Sequence, residues 1–259
     1  MTLKVKFYAT LMRRHLLKLI PIVMLVVVVG SGTAYGMLFP EMTHSLLVPW
    51  SDFHELEPNI YVAPDMPIAQ REQIIFIIEQ GRNDVTAFFG NYTANPVIIA
   101  GHTIESVHPY GISNKPKALA HKMPLGTWIV LGPNGLNRDV VAHELAHAEL
   151  HNRLTLSADV PTWFGEGLAA QLDHRPEIGE ENWRRLTHNG QHVPSREQLF
   201  KTWTDEWGWE VHYGTARYEV QRWLTIVKQK GLFELITALN SGAAFEATYI
   251  NIERRYQSD

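Results

Sequence analysis

The chain of 259 residues contains no cysteine. That absence excludes disulfide scaffolds, thiolate metal sites and cysteine nucleophiles, so any bound metal must be held by His, Asp or Glu. An excess of positive charge is also missing. Twenty-three Lys and Arg stand against 27 Asp and Glu, for a formal net charge of -4, which leaves no basic footprint for nucleic acid. No internal repeat is present. With 45% hydrophobic and 19% charged residues, the chain can build a packed core, and global disorder is excluded.

One long hydrophobic run is present, at the N-terminus. Lys4, Lys6, Arg13, Arg14 and Lys18 precede the uncharged stretch from Leu19 to Pro40, and the next Lys or Arg is Arg71. A bilayer crossing needs about 20 apolar residues. Positive charge on one side only predicts a cytoplasmic N-terminus with the remainder outside. The expected organisation is therefore a cytoplasmic segment (1–18), a membrane anchor (19–40), a connector (41–57) and one folded domain (58–259). A cleaved signal peptide is the alternative, since Gly32, Thr33 and Ala34 are small enough for a cleavage site. In either case the domain lies beyond the membrane. The absence of cysteine suits a bacterial periplasm.

Within the domain, residues 59–64 and 96–100 read as strands. Residues 67–90 carry apolar side chains at helical spacing (Ile68, Ile74, Ile75, Ile78, Val85, Phe88) up to Gly90. Residues 101–125 read as a long loop with His102, His108 and His121. Residues 126–132 read as a strand on the edge of the sheet, lining a cleft. A helix follows, capped by Asn137 or Asp139. A second helix runs from Pro161 to about Asp173, and the rest is mostly helical with breaks at Gly190, Gly231 and Gly242. This order predicts an α+β domain with a small N-terminal sheet and a largely helical C-terminal part.

The chemistry concentrates in "VVAHELAHAELHNRL", residues 140–154. His143 and His147 stand at i and i+4, so both imidazoles leave one helix face and can reach one ion. Glu144 adjoins the first of them and can face a water instead of the metal. This is the H-E-x-x-H arrangement, which suits zinc. Two histidines are too few, and a third protein ligand is needed. His151 continues the row, but it lies a further turn of about 5.4 Å along the axis, and is expected at the surface.

After eighteen further residues comes Glu166, within "PTWFGEGLAA" (161–170). This pattern resembles the aminopeptidase N family of gluzincin metallopeptidases, in which H-E-x-x-H is followed by the third ligand inside W-x-x-E-G-x-A. The resemblance implies one zinc per chain, bound by His143, His147 and Glu166, with Glu144 as general base and a thermolysin-like catalytic domain. Other arrangements are excluded. A metzincin would need His where Arg153 stands, and the E-x-x-x-D pairing of thermolysin-like enzymes would need Asp where Ala170 stands. Asp173, seven residues after Glu166, can either orient a zinc histidine or sit at a helix end on the surface. "HYGTARYEVQRWL" (212–224) resembles the start of the family's later helix, which implies that Tyr213 stabilises the transition state. Tyr218 is the alternative, expected in the core.

The chain departs from the family in having no G-x-M-E-N segment to grip a free amino terminus. Internal cleavage of a peptide or protein substrate is therefore expected. A zinc-bound module that only binds peptide, and an amidase acting on a non-peptide envelope substrate, are the rival readings.

Overall fold

The computed structural model describes residues 38–113, 117–123, 125–199 and 207–258. The membrane-length run lies outside them apart from its last three residues. Among the described residues no helix is long and apolar enough to cross a membrane. Two compact units are present, divided between Leu47 and Val48. The described part of the first contains helix α1 (Pro40–Leu47), whose Thr43, His44 and Ser45 side chains bond back to the carbonyls of Phe39, Pro40 and Glu41.

The second unit begins earlier than position 58. Within the stretch expected as a connector, β1 (His54–Glu57) pairs antiparallel with β2 (Ile60–Val62). Asn59, between them, takes a left-handed φ of 68°, which asparagine tolerates better than most residues. Helix α2 (Ile68–Phe89) then leads to β3 (Val97–Ala100), which runs parallel to β2. Ile68, expected on the buried face of α2, is instead 74% exposed at its first residue. Gly90 closes the helix in the left-handed conformation.

The supposed loop 101–125 is largely ordered structure. It holds a short helix α3 (Ile104–Val107) and strand β4 (Ala118–Met123), which pairs antiparallel with β5 (Gly126–Leu131). The sheet order is β1-β2-β3-β5-β4. The edge near the candidate site is therefore β4, and β5 is an interior strand paired on both sides. The apolar run of β5 is itself the sign: a strand buried on both faces reads as continuous hydrophobics and does not alternate.

Helix α4 (Arg138–Arg153) is capped by Asn137, whose side chain accepts from the Val140 N–H. Val141, Ala142, Leu145, Ala146, Ala148 and Leu150 bury into the core against α2 and the sheet. Helix α5 (Thr162–Ala169) continues into a 3-10 turn (Ala170–Leu172), as expected for 161–173. Helix α6 (Glu180–Leu186), the long α7 (Gly208–Asn240) and α8 (Phe245–Ser258) complete the helical C-terminal half. The break in α7 falls at Lys228 (φ 59°), not at Gly231. Gly231 is needed for packing instead, because a side chain there would meet Val227 and Ile252.

Phe164, Trp223 and Tyr249 are fully buried at the junction of α5, α7 and α8, with Trp223 and Tyr249 stacked at 4.8 Å. Each aromatic removes on the order of 150–250 Å² from water, worth roughly 4–6 kcal/mol at about 25 cal/mol per Å². Gly167 brings the two helices into direct contact: a Cβ there would lie 2.4 Å from the Ala216 carbonyl oxygen. Together these contacts fix the helix that carries Glu166.

Candidate metal centre

Helix periodicity puts His143 and His147 on one face of α4, and the aromatic packing of α5 brings Glu166 to meet them. His143 Nε2 lies 3.3 Å from Glu166 Oε2, His147 Nε2 lies 3.4 Å from the same oxygen, and the two Nε2 atoms are 3.2 Å apart. Three donor atoms thus form a nearly equilateral triangle. Ligands on a tetrahedral zinc with bonds of about 2.0 Å stand about 3.3 Å apart. The same spacings are within hydrogen-bond range for a neutral imidazole, which carries one donor and one acceptor nitrogen. Among the described residues this is the group of His, Asp and Glu side chains able to hold a metal ion.

Glu144 is buried at 8% exposure, and among the described residues no hydrogen bond reaches its carboxylate. Burial pushes its carboxyl up to about 7; His147 opposes the rise and the Glu166 charge adds to it. Burial acts on Glu166 in the same direction. There, however, the charge of His147 and the hydrogen bonds of both histidines prevail, and hold it well below the usual carboxylate range. Neighbouring carboxylates are therefore separated by environment, one held ionised and the other with a raised affinity for protons.

Tyr213 lies in α7 with its ring centroid 6.1 Å from that of His143. Burial, then the Glu166 and Glu144 charges, push its phenol up, so it remains a protonated donor. Tyr218 is not in the core: it is 41% exposed and stacks on Trp183 at 4.3 Å. His151, expected at the surface, is half-buried, with its ring 6.2 Å from that of His147. It does not join the ligand triangle. Burial, then the proximity of His147 and Lys122, push it down to about 4. Of the three loop histidines, His102 lies 3.6 Å from Asp65, His108 is exposed and His121 is half-buried on β4.

Asp173 is fully buried, with Oδ2 3.6 Å from His143 Nδ1. Arg175, which the sequence did not single out, grips it: Nε donates to both carboxylate oxygens at 2.8 and 2.9 Å, and Nη2 donates to Oδ2. Burial raises the Asp173 carboxyl, but the Arg175 bonds and the His143 charge hold it below its ordinary value. The same segment is tied to the start of α4, where Asp139 accepts from the His174 backbone N–H at 3.3 Å. No periodic signal marks Arg175, since an i, i+2 contact in an irregular turn follows neither helix nor strand spacing.

Two surface concavities, of about 620 Å³ beside Phe233 and about 490 Å³ between Trp183 and Arg222, include none of the triangle residues. The convergence of donors, not cavity size, distinguishes this site. Compared with known proteins, the chain matches no family model and no curated sequence.

Proposed function

We propose that the chain is a membrane-anchored zinc metallopeptidase of the gluzincin type, cutting peptide bonds within a peptide or protein substrate outside the cytoplasm. The observation that carries the reading is the triangle of His143, His147 and Glu166 donors with the unpartnered, buried Glu144 beside it. Its likeness to aminopeptidase N rests on the spacing of these residues and on Trp163, Glu166, Gly167 and Ala169. The membrane anchor rests on the uncharged run from Leu19 to Pro40 and its one-sided positive charge.

His143, His147 and Glu166 would hold the zinc. When bound, zinc supplies a Lewis acid for the scissile carbonyl and lowers the pKa of water towards about 7. Glu144 is the general base: it accepts a proton from the attacking water and returns it to the leaving amine. A carboxyl whose affinity for protons is raised towards neutrality suits both halves of that transfer. Tyr213 donates its phenolic proton in a hydrogen bond to the carbonyl oxygen as negative charge develops there. Asp173, clamped by Arg175, keeps a negative charge against the far side of the His143 ring.

The test is a cleavage assay on mixed peptides with purified protein. About one zinc per chain is expected, as one three-ligand site implies. A chelator should abolish cleavage and restored zinc should return it. Glu166→Ala should lose most of the metal. Peptide binding without cleavage at full zinc loading would make the chain a binding module instead.

A further inference from the structure

His151 is absent from the roles above, yet it lies on the same face of α4, one turn beyond His147. The two rings are near-parallel, at 27° with centroids 6.2 Å apart. Nδ1 of His151 is enclosed and has no hydrogen-bond partner, whereas Nε2 is not enclosed. A neutral imidazole carries one donor and one acceptor. Buried N–H groups without an acceptor are rarer than under-satisfied acceptors, which favours the tautomer with its proton on the open Nε2. The result is a donor about 5.4 Å along the helix from His147. It borders β4, whose Lys122 is near enough to act on it electrostatically.

An extended peptide advances about 3.3 Å per residue, and its carbonyls return to the same side every second residue, at about 6.6 Å. A chain with its scissile carbonyl at the triangle therefore presents another carbonyl within reach of a donor one helical turn away. We propose that His151 is a substrate-binding residue whose Nε2–H donates to a backbone carbonyl about two residues from the bond that is cut. This rests on the peptidase reading and assigns to that site a preference for extended chains over short peptides. A half-buried histidine that merely fills space next to His147 would need no particular tautomer, and that difference decides the test.

Three variants separate the possibilities. His151→Phe keeps a planar ring and deletes the donor. His151→Gln places an amide N–H near the position of Nε2, and His151→Asn places one near Nδ1. With zinc-loaded protein and labelled casein, Phe and Asn should raise KM about 3- to 10-fold, the worth of one hydrogen bond. In those variants kcat, zinc content and Tm should stay at wild-type values, and Gln should stay near the wild-type KM. An unchanged KM in His151→Phe overturns the proposal. So does an equal loss in Gln and Phe, and so does a parallel fall in zinc content, which would make His151 a support for His147. If the zinc-loaded wild type cuts nothing, the peptidase reading fails separately. The variants are then compared by fluorescence anisotropy for binding of labelled casein peptides, where Phe should weaken Kd by the same factor. Equal binding by Phe and wild type, or no binding at all, overturns the proposal there too.

Discussion

Glu144 and Glu149 lie five residues apart on α4, and both carboxylates are withdrawn from water, at 8% and 0% exposure. Their surroundings are opposite. Glu149 accepts from the backbone N–H groups of Thr93 and Ala94, each at 2.8 Å, from the Thr93 hydroxyl at 2.9 Å and from Arg153 Nε at 2.7 Å. Arg153 also reaches Asn91. That carboxylate ties the end of α4 to the segment leading into β3. Glu144 has no such bonds, and its desolvation appears as a raised proton affinity. One helix thus holds a buried acid whose charge is met by hydrogen bonds and one that, among the described residues, has none and keeps only the more distant charges of His147 and Arg175. The first pattern fixes structure, and the second is what proton transfer requires.

The contrast breaks if the two positions respond alike to substitution. Glu144→Gln should lower hydrolysis by about 10²- to 10⁴-fold, the usual worth of a positioned base, with zinc content intact and Tm unchanged or higher. Glu149→Ala should do the reverse. It leaves Arg153 and two backbone donors without their acceptor, a loss of about 3–5 kcal/mol of stability for a broken buried pair. Turnover per folded, zinc-loaded molecule should stay close to wild type. Parallel kinetic and thermal-melt measurements on the two variants read both axes. Glu144→Gln that melts early, or Glu149→Ala that folds well and loses turnover, would reverse the assignment.

Tyr213→Phe sharpens the same distinction on α7. In the proposed mechanism the phenol acts on charge that exists only in the transition state, so its loss should fall on kcat, by on the order of 10²-fold, with KM and zinc content nearly unchanged. A variant that loses stability together with activity would place Tyr213 with Glu149, as a structural partner.

What could be read from the sequence follows the same physics. His143, His147 and Glu144 were legible because a helix fixes the direction of every side chain, so spacing alone predicts convergence. Glu166 needed a family pattern, since no local rule sets the distance between two helices. Strands β2, β3 and β5 were legible as unbroken apolar runs. β1 reads HELE and β4 reads ALAHKM, with partly exposed faces and polar residues in register. Neither shows the apolar run that marks a strand buried on both sides, and the omission of β4 made β5 look like the edge. The break at Lys228 was illegible because lysine gives no backbone signal, while Gly231 gave one and served packing instead.

The smallest effect expected concerns Asp173, which stands between the two kinds of buried acid. Arg175 satisfies both its oxygens, a task that Arg153 shares with the Thr93 and Ala94 amides at Glu149, yet Oδ2 also faces His143 Nδ1 at 3.6 Å. That distance is too long for a hydrogen bond, and Nδ1 has no other partner. On the proposed reading the contribution of Asp173 to His143 is therefore electrostatic. A negative charge behind the ring of a metal-binding histidine would strengthen it as a ligand. Asp173→Asn removes the charge and retains the shape. Zinc affinity, measured by competition with a chelator, should fall about 10- to 100-fold, and hydrolysis at saturating zinc should be largely restored. Lost affinity with retained saturated activity would separate holding the metal from performing the chemistry. Unchanged affinity would show that Asp173 serves Arg175 alone, and would move it to the structural side of the comparison with Glu149.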